Sequence, residues 1–290
     1  MNTICFGEIL WDILPQEKVP GGAPMNVCYH LNQLGQAAAI ISKIGKDENG
    51  QGLFDFLQQH KVDVSLVQTD EQHATGTVIA TQKGNEMEYD IVQPVAWDFI
   101  DATEQLLDKV SQASYFVCGS LAARSELSRN TLYQLLHVAQ TKVIDINLRP
   151  PHFERDTLEH LFQQADILKL NDHELAMIAG WYINEPDFEK QVIFLSDQFS
   201  IPTIIITRGA NGAALYYNNA FYYHNGYKVT VADTIGSGDA FLAGFLSKHI
   251  QQNNAPESSL DFACKLGAFV ASQKGACPPY NASEVDQLIS

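Results

Sequence analysis

The residues best suited to chemistry lie late in the chain, at Gly236-Ser237-Gly238-Asp239 within the segment 233–241. Residues 227–232 read as a short strand before it, and residues 240–250 as a buried helix after it. Glycine tolerates positive φ and leaves no side chain in the way, so such a turn can aim successive backbone N–H groups at one point. The helix N-terminus adds about half a positive charge in the same place. An anion belongs there. A carboxylate beside an anion cradle needs a reason of its own, and Asp239 is what makes the segment look chemical. Its plainer reading is an acid in a first helical turn, favoured by the dipole.

The elements that must position this turn follow a regular rhythm. Residues 3–7 form a short apolar run ending in glycine, the pattern of a buried central strand. Gly21-Gly22-Ala23-Pro24 opens a helix over 25–34, with proline near its first turn and Gly35 closing it. A strand at 37–42 and a helix at 50–60 continue a β-α-β-α order, which predicts a parallel sheet covered on both faces. Residues 75–82 and 86–92 break the rhythm with two β-rich segments around the turn signal Lys83-Gly84-Asn85. They predict a small antiparallel sheet outside the main one, a lid built from insertions near 11–20 and 75–97. Alternation then resumes, with helices at 103–112, 125–139, 153–165, 172–179 and 187–199 and strands at 115–118, 142–146, 167–170 and 203–207. Glycine-bounded β segments at 213–217 and 221–223 precede the turn, and helices at 258–273 and 283–289 end the chain. One doubly wound α/β domain, with its small β insertion, spans residues 1–290. In such sheets ligands sit beyond the carboxyl ends of the strands. The polar groups Glu8/Asp12, Gly119/Ser120, Asp145/Asn147/Arg149, Asn171/Glu174, Thr207/Gly209 and Asp233/Asp239 all fall there and are expected to converge.

Bulk properties narrow the partners. The 290 residues are 46% hydrophobic and 18% charged, and carry a net charge of −16. So acidic a surface repels phosphate backbones and anionic lipid, which argues against nucleic-acid and membrane partners. The five cysteines are odd in number and show no C-x-x-C spacing, the usage of buried free thiols in a reducing cytoplasm. The nine histidines show no ligand spacing with acids.

Two familiar phosphate motifs are excluded. No G-x-x-x-x-G-K-[ST] occurs, and Gly236-Ser237-Gly238 fails as a dinucleotide fingerprint because Phe241 stands at its third position and no ribose-binding acid follows. The chain instead resembles the ribokinase-like carbohydrate kinases, nearly end to end. Gly236-Ser237-Gly238-Asp239 looks like that family's anion hole and general base, and Gly21-Gly22-Ala23-Pro24-Met25-Asn26 like its sugar-binding motif. Lys169-Leu170-Asn171-Asp172-His173-Glu174 matches its N-x-x-E segment, Thr207-Arg208-Gly209-Ala210-Asn211-Gly212 its nucleotide-contacting T-x-G-x-x-G, and Lys274-Gly275-Ala276 its C-terminal nucleotide and cation loop. Gly-Gly-Ala-Pro-x-Asn and Asp145-Ile146-Asn147-Leu148-Arg149-Pro150-Pro151 are most similar to fructokinases.

The resemblance implies ATP- and Mg²⁺-dependent phosphorylation of a sugar on a terminal hydroxymethyl group. Asp239 would accept the proton of that hydroxyl, and the amides of Gly236, Ser237 and Gly238 would hold developing charge. Asp12, Gly22, Asn26 and Arg149 would bind the sugar, with Arg149 reaching either sugar or phosphate. Asn171, Thr207, Gly209, Gly212 and Gly275 would bind the nucleotide, and Glu174 would orient water on Mg²⁺. Asn171 and Glu174 also read as a helix capping box, which leaves one carboxylate oxygen free. Trp11, Tyr89 and Trp97 either stack on a sugar face or pack a core. Two departures stand out: Cys264 or Lys265 replaces an asparagine facing the nucleotide, and no hydroxyl follows Gly275 nearby. Activation by K⁺, with Asp233 as its best side chain, therefore has less behind it; a homodimer formed through the lid is also an expectation. Rival readings are another acceptor (2-keto-3-deoxygluconate, ribose or a nucleoside) and a non-catalytic sugar-binding protein on the same fold.

Overall fold

All four residues of the first strand, β1 (Thr3–Phe6), are buried. Their side chains alternate between two separate cores, Ile4 and Phe6 in one and Cys5 in the other, as the two-residue period of a strand requires. This is a central strand with both faces covered. The computed structural model describes residues 2–83, 86–251 and 255–287.

In chain order, β2 (Leu10–Ile13), β3 (Lys18–Gly21), α1 (Ala23–Gln33), β4 (Ala38–Gly45), α2 (Glu48–Gln59) and β5 (Val67–Asp70) follow β1. Next come β6 (Gly76–Lys83), β7 (Glu86–Ile91), α3 (Glu104–Gln112), β8 (Tyr115–Gly119), α4 (Glu126–Val138) and β9 (Thr141–Asp145). Then α5 (Arg155–Gln164), β10 (Ile167–Asn171), α6 (Asp172–Ala179), α7 (Phe188–Phe199), β11 (Thr203–Thr207), β12 (Ala213–Tyr217) and β13 (Ala220–His224) complete the strands. The chain closes with α8 (Ser237–Gln251), α9 (Pro256–Ala271) and α10 (Ala282–Gln287).

The main sheet has the order β13-β12-β11-β10-β9-β8-β1-β4-β5. Its strands from β11 to β5 run parallel, and β12 and β13 add an antiparallel hairpin at one edge. One core packs the sheet against α3 to α7, through residues such as Leu106, Leu132, Leu158, Leu175 and Val192. The other packs it against α1, α2, α8 and α9, through Met25, Leu53, Leu242 and Leu260. Helices therefore cover both faces, as the alternating pattern predicts.

A second sheet, β3-β2-β6-β7, stands apart over the carboxyl edge of β1. It is mixed rather than wholly antiparallel, because β2 runs parallel to β6 while both outer pairs are antiparallel. Register puts Val78 opposite Ile91 and Ala80 opposite Tyr89, with Asp12 beside Val78, so these five share one face. Trp97, at the far end of the insertion, is instead fully buried in the main core, where the Arg124 guanidinium lies 3.9 Å over its ring.

Three strands were not anticipated from the pattern. β2 and β3 have four residues each, and Pro20 in β3 is tolerated because that strand lies at an edge. β5 (Val-Gln-Thr-Asp) is an edge strand with little apolar signal. The strand expected at 227–232 does not form. The amides of Ala232 and Asp233 donate to Ala271 O at the end of α9, and Tyr227 OH bonds Asp261 of that helix, so the segment is held from one side without a ladder. Of the turn signal Lys83-Gly84-Asn85, the two latter residues lie outside those described, as do 288–290 at the end of the last expected helix.

Candidate active site

α8 begins at Ser237, so the first helical turn of this buried helix carries Asp239. Gly236, just before it, has φ +75°. A Cβ there would lie 2.5 Å from Ala276 Cβ and 2.6 Å from Ala276 Cα, so only glycine lets the loop after α9 press against the turn. Asp233 ties the same two loops together, accepting from Ile235 N at 3.0 Å and from Gly275 N at 3.3 Å. Ser237 is occupied structurally. Its amide donates to Thr234 O at 3.3 Å and its hydroxyl to Gly267 O at 3.0 Å, which leaves Gly236 and Gly238 as the residues of the turn that line the cavity beside it.

That cavity, of about 500 Å³, collects Glu8, Asp12, Gly22, Asn26, Arg149, Gly236, Gly238 and Asp239, with Val78, Tyr89 and Ile91 of the second sheet on its outer side. Four of the predicted groups thus converge at the carboxyl edge of β1, β8 and β9. Tyr89, 54% exposed, stands at the rim, so it is free to stack where Trp97 is not. Trp11 donates its ring N–H to Asn49 O at 2.8 Å and packs toward α2.

Asn26 does something other than the sugar contact expected of it alone. Its Nδ2 donates to Asp239 Oδ2 at 2.8 Å, across a sequence separation of 213 residues. Burial raises Asp239 to about 6, helped by the nearby Asp145 carboxylate and opposed by the Asn26 bond, Lys169 and Arg149. Burial likewise raises Glu8 to about 7 and Asp12 to about 6, in both cases against Arg149. Glu8 reaches back to cap α1: its Oε1 accepts from Ala23 N at 3.3 Å, where the N-cap residue Gly22 has no side chain to do so.

Lys169 is the residue that sequence reasoning missed. It is 6% exposed, lies on β10 opposite Asp145 of β9, and donates to Asp145 Oδ2 at 2.7 Å. Its Nζ lies 3.6 Å from where a Cβ on Gly238 would sit, directly beside the glycine turn. Burial alone would push the amine down, but the Asp145 carboxylate, with Asp239 and Glu174 beyond it, holds it above its ordinary value. The signal was present in the strand Ile-Leu-Lys-Leu-Asn, a lone charge in a run otherwise fit for the core. Asn147, one of the polar residues expected to converge, does line the cavity, at φ +41° in a conformation that is sparsely populated outside glycine.

The nucleotide-side residues form a separate group along the same edge and do not line this cavity. Asn171 and Thr207 are register partners at the ends of β10 and β11. Gly209 and Gly212 bound a tight turn after β11, and Gly212 packs directly on the backbone of residues 224–226. Asn171 and Glu174 form the capping box in full, each accepting the other's amide at 2.8 Å. The expectation of a free carboxylate oxygen fails here, because Glu174 Oε1 accepts from Leu148 N at 2.7 Å. Arg149 is exposed at the cavity mouth, with its Nη1 donating to Leu148 O at 3.0 Å.

Comparison with known proteins agrees with this arrangement. The fructokinase of Salmonella typhimurium is 28% identical over 293 residues, covering 93% of each chain. Among solved structures, the ATP-bound fructokinase of Xylella fastidiosa superimposes with a TM-score of 0.88 at 25% identity, over 99% of this chain and 97% of its own. Aminoimidazole riboside kinase of Salmonella enterica, complexed with the riboside and an ATP analogue, gives 0.86 at 25% identity over the whole of both chains. The family model for pfkB carbohydrate kinases matches residues 12–282, and with Asp239, the glycine turn and the buried lysine gathered in one cavity, the chain belongs to the pfkB family of carbohydrate kinases.

Proposed function

We propose that this carbohydrate kinase transfers the γ-phosphoryl group of ATP to the terminal hydroxymethyl group of fructose. The observation that carries the reading is the meeting of Asp239, fixed by Asn26, with the Gly236–Gly238 turn and Lys169 in one cavity. Little covalent chemistry is asked of the protein in phosphoryl transfer; positioning and charge stabilisation do most of the work. The sugar hydroxyl lies against Asp239, which takes its proton as the oxygen attacks phosphorus. Raised to about 6, Asp239 is ionised at neutral pH, and activity is lost as pH falls through that value. The turn amides and the Lys169 ammonium oppose the charge that develops on the transferring group.

The residues present fit a divalent ion. Asp145 Oδ1 is buried with no hydrogen-bond partner among the described residues, and Glu174 stands beyond Lys169 with its carboxylate held in place by two amides. Asp145, and water held by Glu174, would take Mg²⁺, which keeps several of its waters and binds chiefly phosphate oxygens. When bound, the ion neutralises phosphate charge. Asp233 remains the side chain for a monovalent ion, beside its role in joining the two loops. The second sheet acts as a lid: Leu10, Asp12, Val78, Tyr89 and Ile91 face the cavity and would shed water from it when sugar binds. Its outer surface is where a homodimer would form.

A neutral polyol suits a cavity lined by carboxylates, amides and one guanidinium, since its hydroxyls both donate and accept. A riboside is the second reading, favoured by the exposed Tyr89 ring at the rim and by the similarity to aminoimidazole riboside kinase. An ADP-release assay over fructose, ribose, 2-keto-3-deoxygluconate and adenosine separates them. Fructose is expected to give the highest kcat/KM, and a higher value for a riboside overturns the assignment. Asp239→Asn is expected to lower kcat by about 10³ or more while sugar affinity holds. Near-normal turnover in that variant would remove the base.

A further inference from the structure

The amide of Asn26 has two different ends, and the structure occupies both. Nδ2 donates to Asp239 Oδ2 at 2.8 Å, and Oδ1 accepts from the Cys277 thiol at 3.3 Å. A flipped amide would set its oxygen against the Asp239 carboxylate, so something must hold the productive orientation. The thiol is well placed to do so. Burial, with the Asp239 carboxylate and Cys28 nearby, pushes Cys277 well above its ordinary value, so it stays a protonated donor.

The thiol is itself pinned from both sides. Ala276 O accepts from His30 Nε2 at 2.9 Å, and Pro278 O accepts from Tyr29 OH at 3.0 Å. Burial lowers His30 to about 4, so the ring is neutral, with Nε2 protonated toward Ala276 O and Nδ1 accepting from Tyr280 OH at 3.0 Å. Asn26, Tyr29 and His30 stand at i, i+3 and i+4 on α1, one face of a helix. That face grips three consecutive residues of the loop after α9, and the middle one presents its thiol to Asn26.

We propose that Cys277 is a positioning residue for phosphoryl transfer: its hydrogen bond to Asn26 Oδ1 keeps Asn26 Nδ2 on Asp239 Oδ2, so that the carboxylate is anchored by one oxygen and takes the substrate proton on the other. The inference rests on Asp239 being the base. It gives a role to a free cysteine that stands half-buried at the edge of the site. Besides Cys277, the charged groups that face Asp239 are Asp145 from β9, Lys169 from β10, Arg149 from the segment after β9 and Glu8 from the segment after β1. None of these is altered when the thiol is replaced, so a shift in the pH profile reports the Asn26 bond.

The test is the pH dependence of kcat/KM between pH 5 and 8 for Cys277→Ala, Cys277→Val and Cys277→Ser, with thermal unfolding of each. Losing the donor should lower kcat about fivefold in the alanine and valine variants, the worth of one hydrogen bond. It should also move the acid limb up by about half a unit, as the Asn26 donation to Asp239 weakens. Serine restores a donor and should bring both back toward wild type. Valine keeps the volume, so a loss in alanine alone would reflect a cavity and would overturn the proposal. An acid limb that stays put in alanine and valine, or a serine variant that behaves like them, overturns it too. Asp239→Asn run alongside separates the two levels: if it is inactive while the limb does not move, only the role of Cys277 is lost; if it is active, the base assignment goes first.

Discussion

Replacing Lys169 by methionine should cost both stability and turnover, and a second substitution should separate the two. The Lys169–Asp145 pair is buried, with side chains 7% exposed on each partner and 2.7 Å between Nζ and Oδ2. Asp145 Oδ1 already lacks a partner among the described residues, so removing the lysine strands a whole carboxylate in the interior. Breaking a buried pair from one side costs about 3–5 kcal/mol. Removing both charges is close to neutral, so Lys169→Met with Asp145→Asn should recover most of that loss. Turnover should not follow: Asp145→Asn alone sets the cost of losing the carboxylate proposed to hold Mg²⁺, and the double variant should turn over more slowly than that single variant. Nζ lies 3.6 Å from the Cβ position of Gly238, which puts the ammonium about 5 Å from a charge held by the turn. At an effective dielectric of about 20 the pair is worth about 3 kcal/mol, or about 10²-fold in rate. Urea unfolding measures the first quantity and steady-state ADP release the second. The assay belongs at pH 8, where Asp239 is ionised whether or not Asp145 still repels it. If the double variant regains turnover together with stability, Lys169 serves only to neutralise Asp145, and the electrostatic argument is wrong.

Two further outcomes follow from the geometry of the site. Gly236→Ala must move a methyl group that would sit 2.5 Å from Ala276 Cβ, so it should lower kcat by about 10² by displacing the loop and one cradle donor. Gly35→Ala has the same φ of +75° but meets nothing within 4 Å, so it should cost about 1 kcal/mol of stability and no activity; equal kinetic losses in the two variants would show that strain, not contact, is responsible. Glu8, Asp12 and Asp239 are raised to about 7, 6 and 6, above their unfolded values near 4. These three groups bind more protons in the folded state than in the unfolded chain between about pH 4 and 7, so their share of the stability falls as pH rises through that window, while the buried neutral His30, lowered to about 4, opposes them below its unfolded value near 6.5. The ligand-free protein should melt higher at pH 5.5 than at pH 7.5. Glu8→Gln should narrow the gap, setting its contribution apart from relief of the −16 net charge. A melting temperature that drops on acidification over this range contradicts the reasoning.

Asp239 could be read from the sequence because everything that defines it is local. The two glycines, the helix that follows and the acid in its first turn lie within four residues, and turn chemistry acts at that range. The alternation that gives a doubly wound sheet is nearly as local, since each apolar run declares its own period. What escaped is set by register and by distance along the chain. Lys169 reads as an oddity in an apolar strand until β9 is laid beside β10 and Asp145 falls opposite it. β2 and β3 are too short to show a period, and β2 finds its parallel partner β6 only after the 62 intervening residues 14–75. Asn26 illustrates the limit best. Its place in Gly-Gly-Ala-Pro-x-Asn marks it as polar and useful, but nothing nearby says whether it serves the substrate or the base. That is decided by Asp239, 213 residues away, and by Cys277, 251 residues away, which meet it only because α1 lies against both α8 and the loop after α9. Its Nδ2 meets the Asp239 carboxylate and its Oδ1 the Cys277 thiol, so two partners far apart in the chain occupy the two ends of one amide.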